Sequence, residues 1–424
     1  CAIAAFLAMR PEIMILDEPT SNIDPIGSTS VFSVITDLIK TMKGTCIIVE
    51  HKMESLAPLV TRMVIVDGGR ILMDGPPREV LERMDELLAI GLKPPQVTVL
   101  AKRLEQQGLR FDRLPLTLDE MVESLRKNFE QRGVKTKIKN VRSSVQERAE
   151  KAKSCIEVER LVHRYPDGTV ALRGVNLEIA EGEFVGLIGQ NGSGKTTLVK
   201  HFNALLKPTE GNVKVFNVDT SAMSPDRMGH IVGYCFQNPD NQIFCNVVRD
   251  EISYGPRNLD LPSKEIERRV EEAAAQMELT NVLDEDPYAL SLGQRLRIAV
   301  ASVLAMKPKV LIVDEPTTGQ DYKRGKEIMD LITKLNAEGT TAIVITHDMN
   351  LCAENVKRDV AMKDGQILLD GSTREVFSKA DILSETFLTP PQVTLLGQRL
   401  GEHLPDDILT VDEAHESISK LLES

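Results

Sequence analysis

Hydrophobic residues in this chain follow two patterns. Short unbroken runs rich in Val and Ile, such as 184–188 (FVGLI) and 310–313 (VLIV), predict buried parallel strands. Other segments, such as 195–206 and 263–279, repeat their apolar residues at helical spacing. Buried strands alternating with amphipathic helices predict an α/β protein.

The pattern occurs twice. The segment 7–24 (LAMRPEIMILDEPTSNID) matches 304–321 (LAMKPKVLIVDEPTTGQD), 297 positions later, and 92–104 matches 388–400 with an offset of 296. A register that holds for over a hundred residues indicates a duplicated domain. Because the second copy starts near Cys155, the first would start roughly 140 residues before residue 1, and we expect its amino-terminal part to be missing from this chain.

The repeat divides the chain into five predicted regions. These are the carboxy-terminal part of a first domain (1–91), a small appendage (92–128), a basic polar linker (129–154), a complete second domain (155–386) and a second appendage (387–424). Each appendage carries a T-x-x-E capping-box pattern before a short amphipathic helix, Thr117 with Glu120 and Thr410 with Glu413. We expect the appendages to pack between the two domains.

Composition narrows the class of protein. At 424 residues the chain exceeds what one hydrophobic core usually serves. A net charge of −12 argues against nonspecific nucleic-acid binding as the main activity, so no nucleic-acid partner is expected. We expect neither a membrane span nor a secretory signal, since no run approaches 18 apolar residues. Six cysteines without a C-x-x-C pair predict neither a zinc site nor a disulfide framework.

A phosphate-binding loop is the strongest chemical signal. Residues 189–196 (GQNGSGKT) complete the G-x-x-x-x-G-K-[ST] pattern between a predicted strand and a predicted helix, which is the context the motif requires. Glycines let backbone N–H groups surround phosphates, and a helix amino terminus adds partial positive charge. Lys195 would reach the β- and γ-phosphates, and Thr196 would ligate Mg²⁺. The predicted nucleotide-binding residues here are Gly189, Asn191, Gly192, Ser193, Gly194, Lys195, Thr196 and Thr197.

Two carboxylates end the apolar run 310–313. Asp314 and Glu315 would be costly to bury without a cation. We therefore expect Asp314 to hold the Mg²⁺ shell and Glu315 to orient or deprotonate an attacking water. The first copy repeats this pair as Asp17 and Glu18.

A histidine follows the next apolar strand in each copy, His347 in the second and His51 in the first. A lone histidine at a strand end is usually a satisfied polar residue. Its recurrence at the matching position predicts instead that it holds the γ-phosphate and the water in line. Glu18 and His51 are therefore predicted catalytic residues of the first copy, as Glu315 and His347 are of the second.

The segment 290–294 (LSLGQ) starts a helix whose Ser291 precedes Asp314 by 23 positions. It resembles the L-S-G-G-Q signature of ATP-binding cassette (ABC) proteins, and the resemblance covers Cys155 to about Phe377. It implies P-loop ABC-type cassettes with a mixed sheet core, a helical subdomain and an antiparallel β subdomain, one cassette partial and one complete. In that family each ATP lies between the P-loop of one cassette and the signature of the other, here Ser291, Gly293 and Gln294.

Further roles follow from the same resemblance. Tyr165 corresponds to the aromatic residue that stacks on adenine, with an exposed strand tyrosine as the alternative. Gln237 corresponds to the glutamine that senses Mg²⁺ and water, while its loop as far as Phe244 touches a membrane partner. Asp321 and Asp24 correspond to loop aspartates that communicate between cassettes.

One residue departs from the signature. Leu292 replaces the first glycine of the pair. If that position needs a positive φ or a close approach to phosphate, a branched side chain costs about 1 kcal/mol or more. The two ATP sites of a paired protein would then be unequal.

The string FQNPDNQIF at 236–244, the tandem arrangement and the PPQVT tails are similar to the ATPase component of energy-coupling factor transporters. This resemblance implies an ATPase that uses ATP and Mg²⁺ at the cytoplasmic face of the cell membrane. Through integral membrane subunits, it would power the import of a metal ion or vitamin as its two cassettes close. Because neither composite ATP site would be complete here, we expect this chain by itself to bind MgATP and hydrolyse it poorly.

Two rival interpretations stay open. A soluble tandem ABC ATPase acting on ribosomes would use the basic stretch 126–153, which holds ten Lys or Arg against three Glu. The acidic balance of the whole chain and the repeated tails favour the transporter. A noncatalytic nucleotide-dependent clamp is the third interpretation, which the intact Glu315 and His347 disfavour.

Overall fold

The computed structural model describes residues 11–20, 27, 31–37, 45–134, 153–317 and 322–423. The chain divides into two compact units. One comprises Cys1–Arg142, Asp321–Lys323 and Thr389–Ser424, and the other comprises Ser143–Gln320 and Arg324–Leu388. The predicted loop aspartates Asp24 and Asp321, and linker positions 135–152, lie outside the described residues.

The first unit begins with strands from the first copy. Strands β1 (Ile13–Asp17) and β2 (Thr45–Val49) pair in parallel, and β3 (Met63–Asp67) and β4 (Arg70–Gly75) form an antiparallel hairpin. The hairpin turn has two glycines with positive φ, which is the backbone of a tight primed turn. Helix α1 (Met53–Leu56) lies between β2 and β3. The hairpin is followed by α2 (Pro77–Glu82), α3 (Met84–Ala89), α4 (Gln96–Gln106) and α5 (Leu118–Arg132).

The second unit contains a mixed six-stranded sheet and an antiparallel four-stranded sheet. The strands are β5 (Ser154–Arg164), β6 (Val170–Ala180), β7 (Phe184–Gly189), β8 (Glu210–Val215), β9 (Val218–Asp219), β10 (Val232–Cys235), β11 (Val310–Asp314), β12 (Thr341–Ile345), β13 (Arg358–Lys363) and β14 (Gln366–Ser372). The six-stranded order is β10-β11-β12-β7-β13-β14, in which only the edge strand β14 is antiparallel to its neighbour. The four-stranded order is β6-β5-β8-β9.

Helices surround these sheets. They are α6 (Lys195–Phe202), α7 (Pro225–Gly229), α8 (Val248–Asn258), α9 (Ser263–Gln276), α10 (Leu292–Leu304), α11 (Tyr322–Ala337), α12 (Met349–Asn355), α13 (Thr373–Ser378) and α14 (Ala380–Ser384). Every residue of β7, β11 and β12 is buried, which confirms the strands predicted from apolar runs. Among the described helices, none combines the length and apolarity needed to cross a membrane.

Equivalent strands in the two copies differ in burial. Val310 and Ile312 of β11 are buried in a core that they share with Leu198 of helix α6. Their counterparts in β1, Ile13 and Ile15, are 62% and 66% exposed. The first copy therefore presents an exposed apolar sheet face, whereas the equivalent residues of the second copy are buried with its own helix α6.

The two appendages pack into one helical bundle within the first unit. Helices α15 (Gln392–Arg399) and α16 (Val411–Glu423) of the second appendage share a hydrophobic core with α4 and α5 of the first. Helix α16 contacts α4, and α15 contacts both α4 and α5. In this structure the two appendages therefore pack against each other.

Reciprocal polar contacts mark this interface. The N–H of Val97 donates to the Gln392 side-chain oxygen, and the N–H of Val393 donates to the Gln96 side-chain oxygen, both at 3.2 Å. Two ion pairs repeat the exchange, Arg103 with Asp412 and Arg399 with Asp119. Because equivalent residues of opposite copies make each contact, the bundle has approximate twofold symmetry.

The predicted capping boxes form in part. Thr117 accepts a hydrogen bond from the N–H of Glu120 at 3.2 Å, as predicted. The Glu120 carboxylate reaches back to the N–H of Leu116 at 2.8 Å, one residue before the cap, instead of to Thr117. Thr410 and Glu413 repeat the arrangement in the second appendage. Backbone N–H groups at both helix starts therefore have side-chain acceptors, and the reciprocal hydrogen bond is displaced by one residue from the usual capping box.

The bundle core gives a testable stability prediction. Leu100 and Leu396 occupy equivalent buried positions on α4 and α15. Truncating either residue to Ala should lower the free energy of unfolding of this unit by about 2–5 kcal/mol through lost burial and the cavity left behind. Leu88→Ala, on an exposed side chain, is the matched control in urea unfolding followed by circular dichroism. Equal losses in all three variants would contradict the shared core.

Candidate functional site

The loop between β7 and α6 requires the glycines that the motif predicts. Gly189 has φ 148° and Gly194 has φ 104°, both in the region that disfavours other residues. A Cβ on Gly189 would lie 2.4 Å from the Met362 carbonyl oxygen, and one on Gly194 would lie 2.8 Å from the Ala171 carbonyl oxygen. The backbone can curl into this loop only without side chains at these two positions.

Lys195 lies at the centre of the loop. Its ammonium donates to the carbonyl oxygens of Gly189 at 2.7 Å and Gln190 at 2.9 Å, so the loop curls around this charge. Ser193 is buried, whereas Asn191 and Gly192 are exposed at the tip. The amino-terminal N–H groups of α6 lie next to the loop, and a helix amino terminus beside a glycine-rich loop is the arrangement that binds phosphate.

Asp314 at the end of β11 lies next to this loop. Its Oδ2 accepts hydrogen bonds from the Thr196 hydroxyl at 3.0 Å and from the Tyr234 hydroxyl at 2.8 Å. Burial raises the pKa of Asp314 and neighbouring Glu315 adds to the rise, while the two hydroxyl donors oppose it. A buried carboxylate beside a second carboxylate, within reach of a threonine hydroxyl, suits a divalent cation, and we conclude that these residues fit Mg²⁺.

Glu315 and His347 form a close pair in the second copy. The His347 Nδ1 lies 2.9 Å from a carboxylate oxygen of Glu315. Glu315 has φ 53°, a left-handed backbone that costs a non-glycine residue about 1–3 kcal/mol. Its N–H donates to the Ile345 carbonyl oxygen of β12 at 2.8 Å, which holds the strained residue in place.

The first copy repeats this geometry. Glu18 has φ 41°, its N–H donates to the Val49 carbonyl oxygen at 2.9 Å, and its carboxylate lies 3.6 Å from His51 Nδ1. Asp17 ends β1 as Asp314 ends β11. In each copy a glutamate with a left-handed backbone lies beside a histidine. Because this strained backbone conformation occurs at the same position in both copies, it points to a function.

Tyr165, at the end of β5, is tied to the P-loop helix. Its hydroxyl lies 3.0 Å from the Thr197 hydroxyl, and its ring packs edge-on against His163 with centroids 4.6 Å apart. The residue is half-buried, so the interpretation as an exposed strand tyrosine does not describe it. This anchoring fixes an aromatic ring beside the phosphate loop.

Behind Tyr165 lies a histidine pair that the sequence patterns did not reveal. His201 Nε2 is 3.1 Å from His163 Nδ1, and His201 Nδ1 donates to the Thr197 carbonyl oxygen at 2.8 Å. His201 is fully buried on α6, and this burial lowers its pKa to about 4. Helical spacing on α6 places His201 four residues after Thr197, which is the only signal that pointed to the contact.

The signature segment starts α10 with a complete capping box. Ser291 accepts from the N–H of Gln294 at 3.3 Å, and the Gln294 side-chain oxygen accepts from the N–H of Ser291 at 3.2 Å. The residues 291–294 fit the capping-box pattern S-x-x-Q as well as the signature of the family. Gly293 is buried, and α10 packs against α8, α9 and β10. Among the described residues, the side-chain hydrogen bonds of Ser291 are to Gln294 of its own helix.

Leu292 does not have the strained conformation considered above. It is the first helical residue of α10, and its φ is not positive. The expected backbone cost of replacing glycine is therefore wrong for this structure. Its side chain is 44% exposed at the helix start, where it can affect only what approaches from outside.

Gln237 follows β10 and is exposed. Because β10 pairs in parallel with β11, Gln237 leaves the sheet at the same edge as Asp314. The loop beyond it is fixed to the signature helix, since Gln242 accepts from the Phe236 N–H at 3.0 Å and donates to the Ala299 carbonyl oxygen at 2.7 Å.

An aromatic pair protrudes from the end of this loop. Phe244 and Tyr254 are 57% and 46% exposed, and their rings pack edge to face at 4.6 Å. The buried Glu251 carboxylate accepts hydrogen bonds from the N–H groups of Phe244 and Cys245, which holds the loop rigid. We call Phe244 and Tyr254 the aromatic patch.

The phosphate loop, the paired carboxylates and the helical segment that carries the signature together define a P-loop ATP-binding cassette. The sequence model of the ABC transporter family matches residues 172–318, from β6 to just past β11. The predicted α/β fold with a mixed sheet and a helical subdomain is confirmed.

Relatives over the whole chain settle the family. A putative ABC transporter ATP-binding protein of Caldanaerobacter subterraneus subsp. tengcongensis is 43% identical over 405 residues, which cover 95% of this chain and 70% of that protein. Another from Methanosarcina acetivorans is 40% identical, covering 97% of this chain and 68% of that protein. This chain therefore belongs to the family of ABC transporter ATP-binding proteins.

Two shorter proteins match part of this chain. The energy-coupling factor transporter ATP-binding protein EcfA1 of C. subterraneus subsp. tengcongensis is 43% identical over 254 residues, which cover 59% of this chain and 91% of that protein. The structure of cbiO1 from Clostridium perfringens, described as part of the ABC transporter complex cbiONQ, matches with a TM-score of 0.50 and 37% identity. It covers 58% of this chain and 97% of that one.

The buried His201 predicts a pH-dependent stability. Its pKa of about 4 lies below the ordinary histidine value of about 6.5, so the unfolded chain binds more protons between these pH values. The contribution of neutral His201 to the free energy of unfolding is fully present above pH 6.5. This contribution falls by up to about 3 kcal/mol as the pH drops to 4. His201→Asn, which can keep the bond to the Thr197 carbonyl, should flatten the slope of unfolding free energy against pH.

The control is His230→Asn, on an exposed histidine. It should leave that slope unchanged in thermal unfolding from pH 7 to pH 4. A slope as steep in the His201 variant as in the wild type would show that other groups carry the pH dependence.

Proposed function

We propose that this chain is the ATP-binding and ATP-hydrolysing subunit of a membrane importer of the energy-coupling factor type, which takes up a metal ion or a vitamin. The observation that carries the proposal is the left-handed glutamate paired with a histidine at the end of a sheet strand in both copies. Similarity to EcfA1 and cbiO1 supports the assignment to this type of transporter. The chain would work at the cytoplasmic face of the cell membrane.

The P-loop residues would bind the triphosphate. Lys195 would exchange its two carbonyl contacts for phosphate oxygens, and the N–H groups of residues 189–197 would donate to the same charge. Thr196, Asp314 and Gln237 would hold Mg²⁺, which neutralises phosphate charge when bound. Tyr165, fixed to Thr197, would stack on the base.

Glu315 and His347 would carry the hydrolytic chemistry. Glu315 is positioned beyond the end of β11, where its carboxylate can accept a hydrogen bond from a water and hold it in line with the terminal phosphate. His347 Nδ1, at 2.9 Å, fixes the carboxylate that orients this water. Glu18 and His51 would do the same for a site of the first copy.

The composite nature of the site is a further part of the proposal. Ser291, Gly293 and Gln294 would contact a nucleotide held by the P-loop of a paired cassette, and Ser291 and Gln294 are exposed or half-buried at the start of α10. The exposed Leu292 would lie at that contact and make the two sites unequal. The two cassettes of an intact chain would pair, and Asp24 and Asp321 would communicate between them.

The aromatic patch would bind the membrane subunits. An exposed pair of aromatic rings on a rigid loop is costly in water and typical of a protein-binding surface. The same loop is hydrogen-bonded to the signature helix through Gln242, so movement at the membrane subunit would reach the ATP site. The basic linker that would support ribosome binding lies largely outside the described residues, and no described feature favours that alternative.

Nucleotide binding and hydrolysis can be separated with two substitutions. Lys195→Ala should weaken binding of a fluorescent ATP analogue roughly 10- to 100-fold, since it removes charge-assisted bonds worth about 1.5–3 kcal/mol. Lys200→Ala, later on the same helix, is the matched control. Glu315→Gln, assayed in a chain that holds two complete cassettes, should bind the analogue as the wild type does but release phosphate from ATP at least tenfold more slowly. Binding unaffected by Lys195→Ala would refute the nucleotide site.

The partner surface has its own test. Phe244→Ala and Tyr254→Ala, singly and together, should reduce co-purification of the chain with the membrane subunits of such an importer, because the exposed rings supply the contact. ATP-analogue affinity should stay within about twofold of the wild type, since the patch lies away from the P-loop. Leu205→Ala, an exposed apolar residue outside the patch, is the control. Sedimentation with ribosomes at moderate salt, unchanged in all variants, would support the rival function instead.

A further inference from the structure

We infer that Tyr234 is a positioning residue that holds the Asp314 carboxylate in the orientation required for Mg²⁺. The inference rests on the proposed function and adds a residue that no motif of the sequence marks. Tyr234 lies on β10, in register with Ile312 of β11, so its side chain reaches the neighbouring strand close to Asp314. The hydroxyl donates to Asp314 Oδ2 at 2.8 Å.

The direction of this hydrogen bond is fixed by chemistry. A carboxylate can only accept, so the tyrosine must donate. Tyr234 is 8% exposed, so its hydroxyl lies in the protein interior beside Asp314. The ring is itself packed edge-on against Phe236 with centroids 4.8 Å apart. The hydroxyl therefore has little freedom to leave Asp314.

Asp314 needs such a donor. Only 3% of its surface is exposed, so water cannot solvate the charge, and Glu315 is its immediate neighbour. The second donor to Oδ2 is Thr196, whose hydroxyl oxygen is also the group expected to bind Mg²⁺. Thr196 must serve two purposes, whereas Tyr234 serves only Asp314. The tyrosine thus orients the carboxylate independently of the P-loop.

The position of Tyr234 in the strand gives the contact a further consequence. Three residues after Tyr234 comes Gln237, which the proposed function also assigns to Mg²⁺. Asp314 and Gln237 are therefore held by one rigid element, β10, from two directions. A shift of β10 along β11 would therefore move both Gln237 and the hydroxyl that binds Asp314.

Tyr234→Phe is the direct test, because it removes one hydroxyl and keeps the ring. The affinity of a nonhydrolysable fluorescent ATP analogue is measured in EDTA and across a Mg²⁺ titration. We expect the EDTA value to be unchanged and the Mg²⁺ concentration for half-maximal tightening to rise about tenfold, as for the loss of a hydrogen bond to a charged group. Mn²⁺ binding followed by electron paramagnetic resonance should weaken in parallel.

The matched control is Tyr288→Phe. It also removes a tyrosine hydroxyl bond, of 2.7 Å to the Ile243 carbonyl oxygen, which does not involve Asp314. Its Mg²⁺ dependence should equal that of the wild type. If Tyr234→Phe also shows the wild-type Mg²⁺ dependence, or a tighter one, the positioning role is overturned. If the wild-type chain binds no nucleotide at all, the proposed function fails instead.

A double-mutant cycle guards against a merely structural effect. Tyr234→Phe should lower the thermal midpoint when Asp314 is present and have little effect in the Asp314→Asn background, because the bond to the charge has already been lost. Equal losses in both backgrounds would mean that the hydroxyl stabilises the strand without acting through Asp314, and the inference would be overturned.

Discussion

The burial of negative charge at the end of β11 is the constraint on which the site depends. Asp314 and Glu315 are adjacent and nearly inaccessible to water, so each needs partners within the protein. Asp314 has two hydroxyl donors on one oxygen, and Glu315 lies against His347. The sheet order provides two of these partners, since β10 and β12 flank β11 and bring Tyr234 and His347 to the same end of the sheet.

The duplicated sequence shows which features belong to the site and which belong to the surrounding core. The glutamate–histidine pair and the left-handed glutamate occur in both copies, although the sheet around the first pair is small and its outer face is exposed. The local geometry is therefore set by the strand end and the N–H to carbonyl bond of each glutamate, and it does not require a fully covered sheet. The appendages also repeat their geometry, because equivalent residues of the two copies make the same contact in both directions.

Several parts of the nucleotide site serve two purposes. Ser291 and Gln294 cap their own helix in the structure, and the same atoms are assigned to a nucleotide of a paired cassette. Thr197 binds Tyr165 through its side chain and His201 through its carbonyl, so the base side of the site and the buried histidine share one residue of α6. Substitutions at such positions would change stability and binding together, and matched controls are needed to separate the two effects.

The sequence alone determined the buried strands, the P-loop, the carboxylate pair and the repeated histidines, because each depends on local spacing or on an unbroken apolar run. Its glycines at 189 and 194 are required by close backbone approaches that the motif anticipates. The sequence did not reveal Tyr234, His163 or His201, since their partners lie on other elements and only strand register and helix packing bring them together. The tertiary structure also decided that Leu292 is unstrained and that the appendages pack on each other, because backbone conformation and burial depend on neighbours far away in the chain.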